Sequence, residues 1–370
     1  MRFTPAWSIF PDMKQLIKST LYRMGLWKMA FRLRGRPTLA VFAFHRITDH
    51  SSAADHLLGY DRGQDVKEFT GQLDALAEYF EVISLETFND CMNGTTEPKR
   101  HSALLTFDDA DSEFIRYVLP ELKRRQWPAV VFTPSDFVGG DKFFWHVWVG
   151  HLFLVMNKED AERMKSLEDV PSSVKPVLRG IDVSTHTGRM KGCRALVSEL
   201  NKLKDNDILQ VVEKLKACCP AADQPTIHTM GWSDHKELVN ANVSVQSHTA
   251  SHRRLATLSR EEMATELVGS KARLETELDE PVYAICYPQG SVNEVAVEES
   301  VEAGYSLGFT TEYGLCRYPV TGEKRLMLPR VDIWSGSPAE WHWSLGRLLR
   351  APIRPQSEDA GGSTPLNTRL

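Results

Sequence analysis

The chain has 370 residues, 42% of them hydrophobic, with 44 Lys and Arg set against 49 Asp and Glu for a formal net charge of −5. That length can bury one large core or two moderate ones, and the balance of charge gives no signature for nucleic acid. No apolar run reaches the roughly 18 residues that would span a membrane as a helix. The six cysteines (Cys91, Cys193, Cys218, Cys219, Cys286, Cys316) show no Cys-x-x-Cys spacing and include an adjacent pair, so they read as thiols of a reducing compartment or incidental ones rather than a disulfide framework.

From Met13 to Thr48 there is no acidic residue, while Lys14, Lys18, Arg23, Lys28, Arg32, Arg34 and Arg36 are basic. Ile17, Leu21, Met24, Trp27 and Phe31 recur at helical spacing, which predicts a basic amphipathic segment over 1–37. Two readings are open: a helix packed across the bottom of the domain with its charges in water, or a peripheral contact with an anionic membrane surface. Gly25 weakens the helix in either case. Charge interrupts the apolar stretch and no small-x-small site follows, so a cytoplasmic or membrane-peripheral location is expected over a secreted one.

Leu39-Ala-Val-Phe-Ala-Phe44 is a continuous apolar run ending in His45-Arg46, the pattern of a strand buried on both faces. Residues 66–80 are helical by period, and Glu81 to Leu85 reads as a short strand. The strand Leu104-Leu-Thr-Phe107 then runs into two adjacent carboxylates, Asp108 and Asp109. Paired aspartates at the mouth of a buried strand repel one another and lose hydration, so folding alone gives little reason for them. A strand end with a helix N-cap is the plainer reading of such a pair. A helix over 112–126 and a strand over 129–134 follow, and this alternation is that of a parallel sheet or barrel.

The stretch from about 141 to 230 breaks the rhythm and reads as a helical insertion beside the barrel. Phe143, Phe144, Trp145 and Trp148 open it, either as core between insertion and barrel or as a platform for stacking sugars. The rhythm resumes with Val243 to Ser247, ending in His248 and His252, four residues apart. If the chain turns helical there, both imidazoles share one face and can grip a metal ion; structural histidines are the competing reading. Two imidazoles with one carboxylate leave a coordination position open for water, and the second aspartate is then free to act on that water. Ser259 and Glu262 form a capping box for a helix to about Leu278. Strands over Val282–Tyr287, Ser306–Thr311 and Leu326–Ile333, with a helix at 292–303, complete the pattern. The segment 336–370 lies beyond the barrel, and its Pro- and Gly-containing tail from 351 is expected to be disordered.

Thr106-Phe-Asp-Asp109, Ser247-His-Thr-Ala-Ser-His252, Tyr287-Pro-Gln-Gly290, Gly304-Tyr-Ser-Leu-Gly-Phe-Thr-Thr311 and Leu328-Pro-Arg-Val331 occur in the order seen in the polysaccharide deacetylase (NodB-homology) family. The resemblance covers roughly 38–335. Phe44-His45-Arg46 also resembles the opening motif of a circularly permuted branch that deacetylates bacterial surface glycans such as poly-N-acetylglucosamine. The resemblance implies an α/β fold, a distorted (β/α)7 barrel with the helical insertion, and a metal-dependent hydrolase acting on an acetylated glycan. It implies Asp109, His248 and His252 as ligands for Zn2+ or another divalent ion such as Co2+. Asp108 would be the general base, the backbone N–H of Gln289 an oxyanion donor, and His45 the acid for the departing amine. Tyr287, Pro288 and Arg330 are expected to contact substrate.

The chain departs from the family pattern at Ala110, Gln246, Gln289 and Cys286, the last standing where non-permuted members carry an arginine that orients the base. Arg330 is the candidate replacement, with an ordinary ion pair at the barrel rim as the other reading. His342 is the competing candidate for the acid. Two alternatives to an N-deacetylase are an esterase removing O-acetyl groups from a sugar and a non-catalytic glycan-binding module.

Overall fold

Seven parallel strands close on themselves in sequence order: β1 (Leu39–Phe44), β2 (Ser102–Phe107), β3 (Ala129–Thr133), β4 (Val243–Ser247), β5 (Ala284–Cys286), β6 (Leu307–Tyr313) and β7 (Leu328–Asp332). Each pairs with the next, and β7 returns to β1 through Phe42↔Val331 and Ala43↔Asp332. This is the (β/α)7 barrel expected from the sequence. The structure is a computed structural model and describes residues 37–50, 63–139, 143–222 and 228–333, with Thr20 and several positions between 340 and 348. The predicted N-terminal helix and the tail expected to be disordered lie outside the described residues. Among those described, no helix is long and apolar enough to cross a membrane.

The continuous apolar runs are explained by their surroundings. Every residue of β1, β2 and β3 is buried, because helices cover a barrel whose interior is filled with side chains. Phe44 and Phe107 stack with centroids 5.0 Å apart; Phe114 meets Phe107 edge-on, also at 5.0 Å. This aromatic layer lies directly beneath His45 and Asp108, the next residues along β1 and β2.

The helices start and stop at local signals. Asp65 caps α1 (Val66–Tyr79), accepting from Lys67 N and Glu68 N. A helix α2 (Leu85–Asn93), unexpected from the sequence reading, has Ser84 as its N-cap and a left-handed Gly94 at its end. Its apolar residues Leu85, Phe88 and Met92 are buried, which rules out the longer strand expected there: only Glu81–Val82 pairs, along the start of β2. The helix expected over 112–126 is a π-helical turn, Phe114–Val118, leading into α3 (Leu119–Arg125). Pro120 has no N–H to offer the carbonyl one turn back, a reason for the regular ladder to break there.

Between β3 and β4 come α4 (Trp145–Val155), α5 (Lys158–Lys165), α6 (Lys175–Arg179), α7 (His186–Leu200), α8 (Asp205–Cys218) and α9 (Trp232–Asn240). The first five share an apolar cluster of their own that includes Trp148, Leu152, Val197 and Leu215. Trp148 belongs to that cluster, its indole N–H donating to Ala222 O at 2.9 Å. Phe144 instead stacks on Phe137 at 4.6 Å, where the insertion meets the end of β3. The helix α10 (Arg260–Leu278) begins with the expected capping box, and α11 (Glu294–Glu302) precedes β6.

Candidate active site and metal centre

His45, Asp108, His248 and Gln289 follow β1, β2, β4 and β5, so the closed barrel gathers them at its C-terminal mouth. The turns that aim them are strained. Asp109, Ala110, Thr249, His252 and Gln289 are five of the nine described non-glycine residues with positive φ. Such conformations cost about 1–3 kcal/mol each and collect where a site over-determines them. The chain does not turn helical between His248 and His252, the condition under which the sequence put them on one face; a loop joins them, with Thr249 at φ 62° and His252 at φ 58° bending the chain back. The two rings still meet, with centroids 4.8 Å apart.

Asp109 Oδ1 lies 3.4 Å from His248 Nε2 and 3.3 Å from His252 Nε2. It is buried without a hydrogen-bond partner, an unfavourable arrangement unless a cation completes it. His248 Nδ1 lies 2.7 Å from Cys286 O. A carbonyl only accepts, so Nδ1 carries a proton, which leaves Nε2 as the nitrogen that the neutral ring would offer to an ion. Bonds of about 2.0–2.1 Å in a tetrahedral site set ligand atoms about 3.3–3.4 Å apart, which is the spacing of Asp109 Oδ1 from each imidazole nitrogen, and all three ligand atoms lie within 4.8 Å of one another. The donor set therefore fits a divalent ion. A second group, Asp108, His248 and Cys286, is also tightly gathered. It is the poorer candidate, because Asp108 and His248 Nδ1 already hold hydrogen bonds and burial pushes the Cys286 thiol up, away from the thiolate a metal needs.

Asp108 turns inward, the opposite way from Asp109. Arg330 grips it with both ends of its fork, Nη1 to Oδ1 at 2.8 Å and Nη2 to Oδ2 at 2.7 Å. Burial pushes this carboxyl up, but the charge and hydrogen bonds of Arg330, with His248 and His45 nearby, outweigh it and hold it down at about 2. The guanidinium also donates to Thr310 O at 3.0 Å and Thr106 Oγ1 at 3.2 Å. Only 2% of the Arg330 side chain, expected from the sequence to contact substrate, is exposed. It is the ionic partner of Asp108. Replacing it strands a buried carboxylate, so Arg330→Met should lower stability by about 3–5 kcal/mol in urea unfolding. A loss under 1 kcal/mol would show that Asp108 escapes to solvent.

Tyr287 and Pro288 are the other two residues expected from the sequence to contact substrate. Both are buried, and the Tyr287 hydroxyl donates to Ser300 Oγ at 3.3 Å, away from the barrel mouth. They shape the turn that puts Gln289 at φ 55°. Gly290 is required beside it, since a Cβ there would stand 2.1 Å from Thr311 Oγ1. His45 is the open member of the group: its side chain is 56% exposed, with Nε2 3.7 Å from Asp108 Oδ2. His342, the competing acid, is buried with Nδ1 2.7 Å from the Tyr79 hydroxyl.

Sequence reasoning did not find Glu266 of α10, a buried carboxylate that accepts from Ser251 N at 2.7 Å and from Ser251 Oγ, between the two histidines. Nor did it find the Cys286 carbonyl. A glutamate within a helix and a backbone oxygen carry no motif.

The polysaccharide deacetylase family model matches residues 95–308, more than half of the chain, and the chain belongs to that family. YxkH of Bacillus subtilis (strain 168), a polysaccharide deacetylase by name, is 30% identical over 87 residues, 24% of this chain. The match covers only 31% of that relative's length. Among solved structures, the Streptococcus pyogenes deacetylase PplD in complex with acetate superposes with a TM-score of 0.53 at 17% identity, covering 86% of this chain and all of that one. IcaB from Ammonifex degensii gives 0.51 at 18% identity, covering 85% and 98%. These likenesses concern the fold.

Proposed function

We propose that the protein is a metal-dependent deacetylase that removes N-acetyl groups from an amino-sugar-containing glycan, with Asp109, His248 and His252 holding the ion. The unpartnered buried Asp109 Oδ1, facing two imidazole nitrogens beside an arginine-held Asp108, is the observation that carries this reading. A divalent ion such as Zn2+ or Co2+, when bound, supplies Lewis acidity that polarises a carbonyl and acidifies water toward neutrality.

The chain's own residues supply the rest. Asp108 accepts a proton from the attacking water. Arg330 keeps that carboxylate ionised and aimed, at some cost in basicity. The Gln289 N–H donates to the oxygen that gains charge as the carbonyl carbon becomes tetrahedral. An amide anion is a very poor leaving group, so the nitrogen must be protonated as it departs. His45 lies on the same side of the mouth as Asp108 and is open to solvent, which suits it to deliver that proton. The resemblance to the permuted branch gives His45 the same role.

The substrate class follows from the family and from the chemistry of an acid able to serve an amine. Purified, metal-loaded protein should release acetate from N-acetylated glucosamine or galactosamine oligomers. Acetate release confined to O-acetylated xylose oligomers would replace this reading with that of an esterase. No release from any of them, with oligomer binding intact, would leave the glycan-binding module.

A further inference from the structure

His252 sits in a left-handed conformation that a β-carbon disfavours, so something outside its own turn must hold it there. The described contacts come from two directions. From the barrel side, Glu266 accepts from Ser251 N. The same helix supplies Glu262, whose Oε1 accepts from Arg253 Nη2 at 3.0 Å, and further contacts come from the helical insertion. Arg254 donates from its backbone N to Asp205 Oδ2 and from Nε to Asp205 Oδ1, both at 2.6 Å. Its Nη1 donates to Asn201 O at 2.7 Å and its Nη2 to Leu203 O, closing over the turn between α7 and α8. Arg253 reaches Asn206 Oδ1 at 2.9 Å. Phe144, at the insertion's entrance, meets the His252 ring edge-on with centroids 4.8 Å apart and is backed by Phe137.

We propose that the helical insertion is a positioning element for the ligand His252, acting through the Arg254–Asp205 clasp on one flank and the Phe144 ring on the other. The inference rests on the reading of Asp109, His248 and His252 as metal ligands. Arg254 is two residues from His252, and its four bonds leave the connecting backbone little freedom. Asp205 is largely buried, so the clasp is a shielded, charge-assisted pair rather than a solvated surface contact. A chain whose insertion served only as a cover would not need to tie itself to the residue pair that follows a ligand.

The test uses the full chain loaded with Co2+, whose d–d absorption reports ligand geometry, and measures Co2+ affinity by chelator competition. Arg254→Ala is expected to weaken Co2+ binding by about 10–100-fold, the usual effect of losing a residue that orients a ligand, and to change the absorption band. Arg163→Ala removes a pair to Asp160 elsewhere in the insertion and should leave affinity and spectrum unchanged even where it lowers Tm. Asp205→Asn leaves the carbonyl contacts of Arg254 in place and carries the test if Arg254→Ala does not fold; it should show the same spectral change with a smaller loss of affinity. Wild-type affinity and spectrum in the folded Arg254 or Asp205 variant would overturn the inference alone. A wild-type protein that takes up no Co2+ would overturn the metal-site reading and this inference with it.

Discussion

Asp108→Asn should lower turnover by about 10²–10⁴-fold, the usual effect of losing a general base, while metal content stays near the wild-type level. The amide keeps the shape of the carboxylate but cannot accept the proton. The structure makes this substitution informative, because the two adjacent aspartates point to different partners. Asp108 is enclosed by Arg330, whereas Asp109 faces the imidazoles. Asp108→Asn also weakens the buried pair with Arg330, so turnover must be compared at a temperature where unfolding curves show the variant folded. Steady-state acetate release with elemental analysis on the same preparation provides the check. Turnover near wild type would remove Asp108 from the chemistry.

His45→Ala should leave metal content intact and cripple release of acetate from N-acetyl sugars, again by about 10²–10⁴-fold. Activated acetyl esters should be spared, because their leaving groups depart with little help from an acid. The ratio of the two activities therefore isolates the proton delivered to nitrogen from every other contribution. Removing the exposed His45 ring should not disturb the core, since Phe44 and Phe107 beneath it keep their stacking. An amide activity that survives while ester hydrolysis falls would place His45 in substrate binding instead.

The barrel was legible because its strands are buried on both faces, so Leu39–Phe44 reads as an unbroken apolar run and Leu104–Phe107 as a strand. The gathering of the candidate residues was legible for a related reason. A run that ends in His45 or in Asp108-Asp109 puts reactive groups at one strand end, and a parallel barrel assembles all such ends on one side. What lies between strand ends was less readable. The spacing of the histidine pair is compatible with a helix, but spacing carries no record of the left-handed turn at His252. Tyr287 follows a strand of only three residues, too short for alternation to tell which way its ring points. For Arg330, the sequence offered a base-orienting arginine or an ion pair. The fold makes it the ionic partner of Asp108, which no local pattern around residue 330 records. The insertion's ties to Arg254 join residues 49 to 53 positions apart, beyond the reach of any periodicity.

The central claim is that one carboxylate of the pair binds the ion and its neighbour does not. Equilibrium dialysis against Zn2+ of the wild type, Asp108→Asn and Asp109→Asn tests it most directly. The account predicts about one ion per chain in the wild type and in Asp108→Asn, with binding lost in Asp109→Asn. Retention of the ion by Asp109→Asn, with its loss from Asp108→Asn, would contradict it.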